Sequence, residues 1–158
     1  MIYDFNADEI FEIAEKMEQN GAIFYRTAAN AVKDDKAKAL LEKLAMMEDN
    51  HERTFAQMRA QLKEKEKTAT VFDPQNEAVL YLHALADMRV FFQKEIDTSS
   101  METILKDAIG AEKDSIVFYL GISEAVPKEF GREKVSDIIK EEMGHIRLLS
   151  AELSACRR

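Results

Sequence analysis

One pattern occurs twice in this chain, and the two copies are in register. A glutamate is followed six and seven residues on by Phe-Tyr, and thirty residues on by the start of a Glu-x-x-His. The first copy is Glu18, Phe24-Tyr25, Glu48 and His51; the second is Glu112, Phe118-Tyr119, Glu142 and His145. The offset is 94 throughout, and it also carries Ala31-Val32 onto Ala125-Val126 and Arg53 onto Arg147. One Glu-x-x-His is ordinary in a chain with 30 acidic residues. Two are not, because the chain has only 3 His and two of them close the pattern at matched distances from a matched upstream Glu.

The repeat falls on helical periodicity. Residues 7–32 place Phe11, Ala14, Met17, Gly21, Ala22, Tyr25 and Ala29 on one stripe, with Asn6 or Asp8 as a cap. The polar turn "KDDK" (33–36) leads into a second helix over about 36–66, with Leu41, Leu44, Phe55, Met58 and Leu62 on its apolar face. "TATVFDP" (68–74) breaks the pattern, and Pro74 suits the first turn of a shorter helix over 75–92. "DTSS" (97–100) caps a long helix over about 100–125, and Pro127 and Gly131 separate it from the last, about 130–156. The chain therefore reads as all-α. Four long helices form two antiparallel hairpins, joined by a crossover at about 67–99 that holds an extra short helix. A single domain is expected over 1–158.

Composition narrows the function. With 5 Gly and 2 Pro in 158 residues there is little room for many short strands and turns. A net charge of −8 argues against nucleic acid or an anionic membrane as partner, since both need a basic patch. No apolar run approaches the ~20 residues of a membrane span. The first residues show no secretory signal, so a cytoplasmic location is expected. One cysteine, Cys156, excludes an internal disulfide framework and any four-cysteine zinc or rubredoxin-type site.

The duplicated residues sit where charge is costly. Glu18 lies among Phe11, Ala14, Ala22 and Tyr25; Glu112 among Leu105, Ala108, Ile109, Ile116 and Tyr119. Glu48 lies among Leu41, Leu44, Ala45 and Phe55; Glu142 among Val135, Ile138, Ile139, Ile146 and Leu149. A lone buried carboxylate costs several kcal/mol, and neighbouring carboxylates repel one another. The stripes hold no Lys or Arg to compensate. Two divalent metals would, because four glutamates match their charge and two neutral imidazoles complete the donor set. An i, i+3 pair presents both groups to one side of a helix. Carboxylate with imidazole, without thiolate, suits iron or manganese. One Glu from each of two helices with Glu-x-x-His from each of the other two is the donor arrangement of ferritin-like carboxylate proteins.

At "EQNGAIFY", "EDNH", "EKDSIVFY" and "EEMGH" the chain resembles the rubrerythrin-like branch of the ferritin-like di-iron carboxylate superfamily, over nearly its whole length. The resemblance implies a ferritin-like four-helix bundle with two non-haem Fe ions, Mn or Zn being substitutes. It assigns Glu18, Glu48, His51, Glu112, Glu142 and His145 as metal ligands, with Glu48 and Glu142 bridging and Glu18 and Glu112 terminal. It implies reaction with H2O2 or O2, as peroxide scavenging or ferrous-iron oxidation. Two departures stand out. No rubredoxin domain with CxxC pairs is present, so electrons must come from an external donor such as a rubredoxin-like protein. Rubrerythrins also place a further glutamate one turn after the third-helix ligand, where this chain has Ser115. The rival readings are a metal-binding storage, delivery or sensing protein without turnover, and a metal-free interaction module. A homodimer is expected, since such bundles often pair.

Other residues carry weaker signals. Tyr25 and Tyr119, two turns from Glu18 and Glu112, are expected to hydrogen-bond a ligand carboxylate. His83 has no Glu three positions before it and reads as a packing or surface residue of the crossover. Met17, Met46, Met47 and Met143 read as core filler. Asp49 fits either a support to the site or plain surface, and Cys156 an exposed tail. The spacing does not reveal which groups orient the two histidines.

Overall fold

The computed structural model describes residues 7–65, 77–87, 95–126 and 128–158. Among these residues the helices are α1 Ala7–Ala31, α2 Asp35–Lys65, α3 Glu77–Asp87, α4 Met101–Ala125 and α5 Arg132–Cys156, with a 3-10 turn at Lys128–Phe130. There is no strand among the described residues. No helix among them is long and apolar enough to cross a membrane. The architecture is the all-α four-helix bundle that the periodicity predicts, and α1, α2 and α4 fall within a residue of their expected bounds.

Local chemistry explains the ends. Asp34 caps α2, its Oδ2 accepting from Ala37 N at 2.8 Å. Ser100 caps α4, its Oγ accepting from Thr103 N at 3.1 Å. The last helix begins later than the spacing predicts, because the 3-10 turn and Gly131 take up the residues before it. Gly131 has φ 103, a left-handed conformation open to glycine, and a Cβ there would also meet the Met58 methyl at 2.8 Å. Of the helix expected over 75–92, the structure describes α3, Glu77–Asp87. Positions 75–76 and 88–92, Pro74, Pro127 and the His83 side chain lie outside the described residues. Within α3, Tyr81 lies over Gly121 of α4 and donates its hydroxyl to Val117 O at 2.8 Å.

α1 packs along α2 and α4 along α5, and the two hairpins meet through α1–α4 and α2–α5. All four long helices feed two separate apolar clusters. One gathers Phe11, Met17, Phe55, Met58, Phe118, Tyr119, Val135 and Ile138. The other gathers Phe24, Tyr25, Leu41, Leu44, Ile104, Leu105 and Leu149. Along every long helix the glutamates and histidines of the repeated pattern lie between the two clusters, so the bundle is layered apolar, polar, apolar.

Helical rotation also corrects one expectation. Met17 is buried as core filler, but Met46 and Met143 are 59% and 53% exposed. Glu48 and Glu142 face inward, and residues one or two positions away are turned about 100° or 200° around the helix.

Candidate metal centre

The polar layer consists of Glu18, Glu48, His51, Glu112, Glu142 and His145, all buried. Glu18 comes from α1, Glu48 and His51 from α2, Glu112 from α4, and Glu142 and His145 from α5. Their donor atoms form two four-residue groups. Glu18, Glu48, His51 and Glu142 make one; Glu48, Glu112, Glu142 and His145 make the other. Within each group the atoms lie inside 4.8 Å of one another. Glu48 and Glu142 belong to both.

Geometry repeats as the sequence does. His51 Nδ1 lies 3.5 Å from Glu18, 3.7 Å from Glu48 and 3.1 Å from Glu142. His145 Nδ1 lies 3.2 Å from Glu112, 2.8 Å from Glu142 and 3.2 Å from Glu48. Exchange of the two halves maps one list onto the other. The imidazole rings stack with centroids 5.6 Å apart and planes at 19°.

Several of these close approaches are not hydrogen bonds. Glu18 Oε2, Glu48 Oε1, both Glu142 carboxylate oxygens and His51 Nδ1 are buried without a hydrogen-bond partner. Glu142 Oε2 is orphaned although His145 Nδ1 is 2.8 Å away. Buried polar groups are ordinarily paired. Donor atoms that crowd together without pairing are aimed at a common point rather than at each other. Hard oxygen and imidazole donors in this arrangement fit a pair of divalent cations.

The electrostatics of the metal-free cluster point the same way. Burial pushes the Glu18 carboxyl well above the usual range, and the charge of Glu48 adds to it against the pull of His51. Burial, then the Glu142 charge, raises Glu112 to about 7. Burial disfavours a charged His145, but the adjacent Glu112, Glu142 and Glu48 carboxylates outweigh it and lift the imidazole to about 12. His51 is raised in the same way, by Glu142, Glu18 and Glu48 against the effect of burial. Without a cation, the layer therefore holds protons that a metal must displace.

The tyrosines cross between hairpins. Tyr25 of α1 donates to Glu112 of α4, and Tyr119 of α4 donates to Glu18 of α1. The expected bond to a cluster carboxylate is present, on the carboxylate of the opposite half. Burial and the adjacent carboxylates raise both phenols, keeping them as O–H donors. Tyr25→Phe or Tyr119→Phe leaves a buried acceptor short of its donor. Each is expected to cost about 1–3 kcal/mol in denaturant unfolding of the metal-free protein. No measurable loss would show that the hydroxyl does not hold the carboxylate.

Two neighbours of the layer were not legible in the repeat. Glu141 of α5 accepts from His51 Nε2 at 2.7 Å. Its signal was only its place beside Glu142. Asp49 pairs with Arg26 at the surface, which settles its role as an outer ion pair between α1 and α2.

Comparison with known proteins agrees with this geometry. Residues 1–59 match the protein-family model for Rubrerythrin. Comparison with curated proteins returns no match. Among solved structures, a Thermotoga maritima protein described as ferritin-like and diiron-carboxylate superposes with a TM-score of 0.69. It is 22% identical, over 95% of each chain. The chain is therefore similar to Rubrerythrin over residues 1–59, and over nearly its full length it shares the fold of the Thermotoga maritima protein.

Proposed function

We propose that this protein is a non-haem di-iron oxidoreductase that reacts with H2O2 or O2. Glu18 and His51 would hold one iron and Glu112 and His145 the other, and Glu48 and Glu142, which belong to both donor groups, would be shared between them. When bound, the two ferrous ions supply the electrons that reduce the oxidant. The single observation that carries this reading is the set of buried, unpartnered donor atoms shared between two overlapping groups.

The chain's own residues set the conditions. The four carboxylates offset the charge of the ions. Tyr25 and Tyr119 pin Glu112 and Glu18 across the hairpin interface. The apolar clusters on either side keep bulk water out. Electrons for renewed turnover come from an external donor, such as a rubredoxin-like protein.

A second reading, metal binding without turnover, draws support from Ser115. This residue is buried on α4 where rubrerythrins carry a further glutamate, so the donor set is the same in both halves. Elemental analysis of protein purified without added metal tests the centre. Stopped-flow absorbance after mixing the anaerobic ferrous protein with H2O2 or O2 tests turnover. Oxidation within the first seconds and re-reduction by a donor are expected; metal bound without either outcome leaves the binding reading.

A further inference from the structure

The symmetry of the two halves holds inside the polar layer and fails just outside it. Both histidines turn Nδ1 toward the carboxylates. Their other nitrogens differ. His51 Nε2 donates to Glu141 Oε2 at 2.7 Å. His145 Nε2 is buried and has no hydrogen-bond partner among the described residues.

The sequence supplies the reason. Position 141 less the repeat offset of 94 is position 47, and residue 47 is methionine. A carboxylate in one half stands where the other has a thioether, a weak acceptor. A histidine that ligates through Nδ1 must carry its proton on Nε2. On His51 that proton has a carboxylate to receive it, which fixes the tautomer and the ring and makes the ligand nitrogen more basic. On His145 the same N–H is taken from water and offered no acceptor among the described residues.

From this we infer that the two metal positions are unequal: the position beside His51 binds first and more tightly, and Glu141 is the positioning residue that makes it so. The inference rests on the six buried residues acting as ligands. Partners of this kind change metal affinity by about 10–100-fold, and the two positions should differ by that order. Glu141 is suited to testing because its side chain is 52% exposed, so truncation leaves the core intact.

The experiment is a titration of the metal-free full chain with Co(II), followed by calorimetry and visible absorption. Two binding steps are expected, separated by about tenfold or more. Glu141→Ala should weaken the first step by about tenfold or more and change the spectrum of the first equivalent. Glu141→Asp should restore part of both effects. Met47→Glu should tighten the second step and leave the first in place. Two indistinguishable steps in the native chain, both untouched by Glu141→Ala, would overturn the inequality alone. Absence of any Co(II) binding would overturn the ligand assignment beneath it.

Discussion

Fe(II) or Mn(II) is expected to raise the melting temperature of the metal-free protein by about 8–16 °C for each site filled, and a chelator to reverse the change. Binding to the native state alone contributes RT ln(1 + [L]/Kd), about 4 kcal/mol per site at a thousandfold excess over Kd. In a chain of this size each kcal/mol moves the midpoint by about 2–4 °C. The shift should also depend on pH. Glu112 sits at about 7, against 4.5 for an ordinary glutamate. An acid raised in this way stabilises the fold below its unfolded value and loses that contribution as pH rises through the folded one. The metal-free protein should therefore weaken on this account between roughly pH 4.5 and 7. His145, raised from 6.5 to about 12, keeps its full contribution below 6.5 and gives it up only toward alkaline pH. Metal binding displaces these protons, so its affinity rises with pH. Scanning calorimetry with and without Mn(II) should show a larger shift at about pH 7.5 than at 5.5. Equal curves with and without metal at both values would remove the metal centre.

Helical stripes and the exact repeat made the four long helices and the six buried polar residues legible, because both depend on spacing along the chain. What lay beyond reach depends on spacing across it. The tyrosines stand near Glu18 and Glu112 in sequence, yet each bonds the carboxylate of the opposite hairpin. Only the meeting of α1 with α4 reveals that exchange. Glu141 escaped notice because it has no counterpart in the first half, where Met47 stands. Residues that break a repeat are invisible to a search for what repeats. The surface methionines follow from the geometry of the helix. Glu142 facing inward forces Met143 to the side, and Glu48 does the same to Met46. Hydrophobicity placed both in the core, while the geometry of the polar stripe places them outside.

Glu142→Gln is expected to affect the metal-bound protein far more than the metal-free one. Glu142 belongs to both donor groups, and its two oxygens are buried without hydrogen-bond partners. Its charge also pushes Glu112 upward. Glutamine keeps the volume, so the core suffers no cavity. It removes one of four carboxylates that otherwise repel, but also a charge that stabilises the protonated His51 and His145, so in the metal-free chain the two effects oppose each other. Most buried substitutions destabilise by about 0.5–3 kcal/mol. With the two effects opposed, this one should move the metal-free melting temperature little. The amide cannot bridge two cations as a carboxylate does, because its nitrogen is a donor without an available lone pair. Most of the metal-induced shift should therefore disappear, and bound metal by elemental analysis should fall well below that of the native chain. Glu18→Gln, which touches one donor group alone, should lose less. The comparison separates a bridge from a terminal ligand. If Glu142→Gln kept the native metal content and thermal shift while Glu18→Gln lost them, Glu142 would not be the shared ligand and the two positions would not be coupled through it.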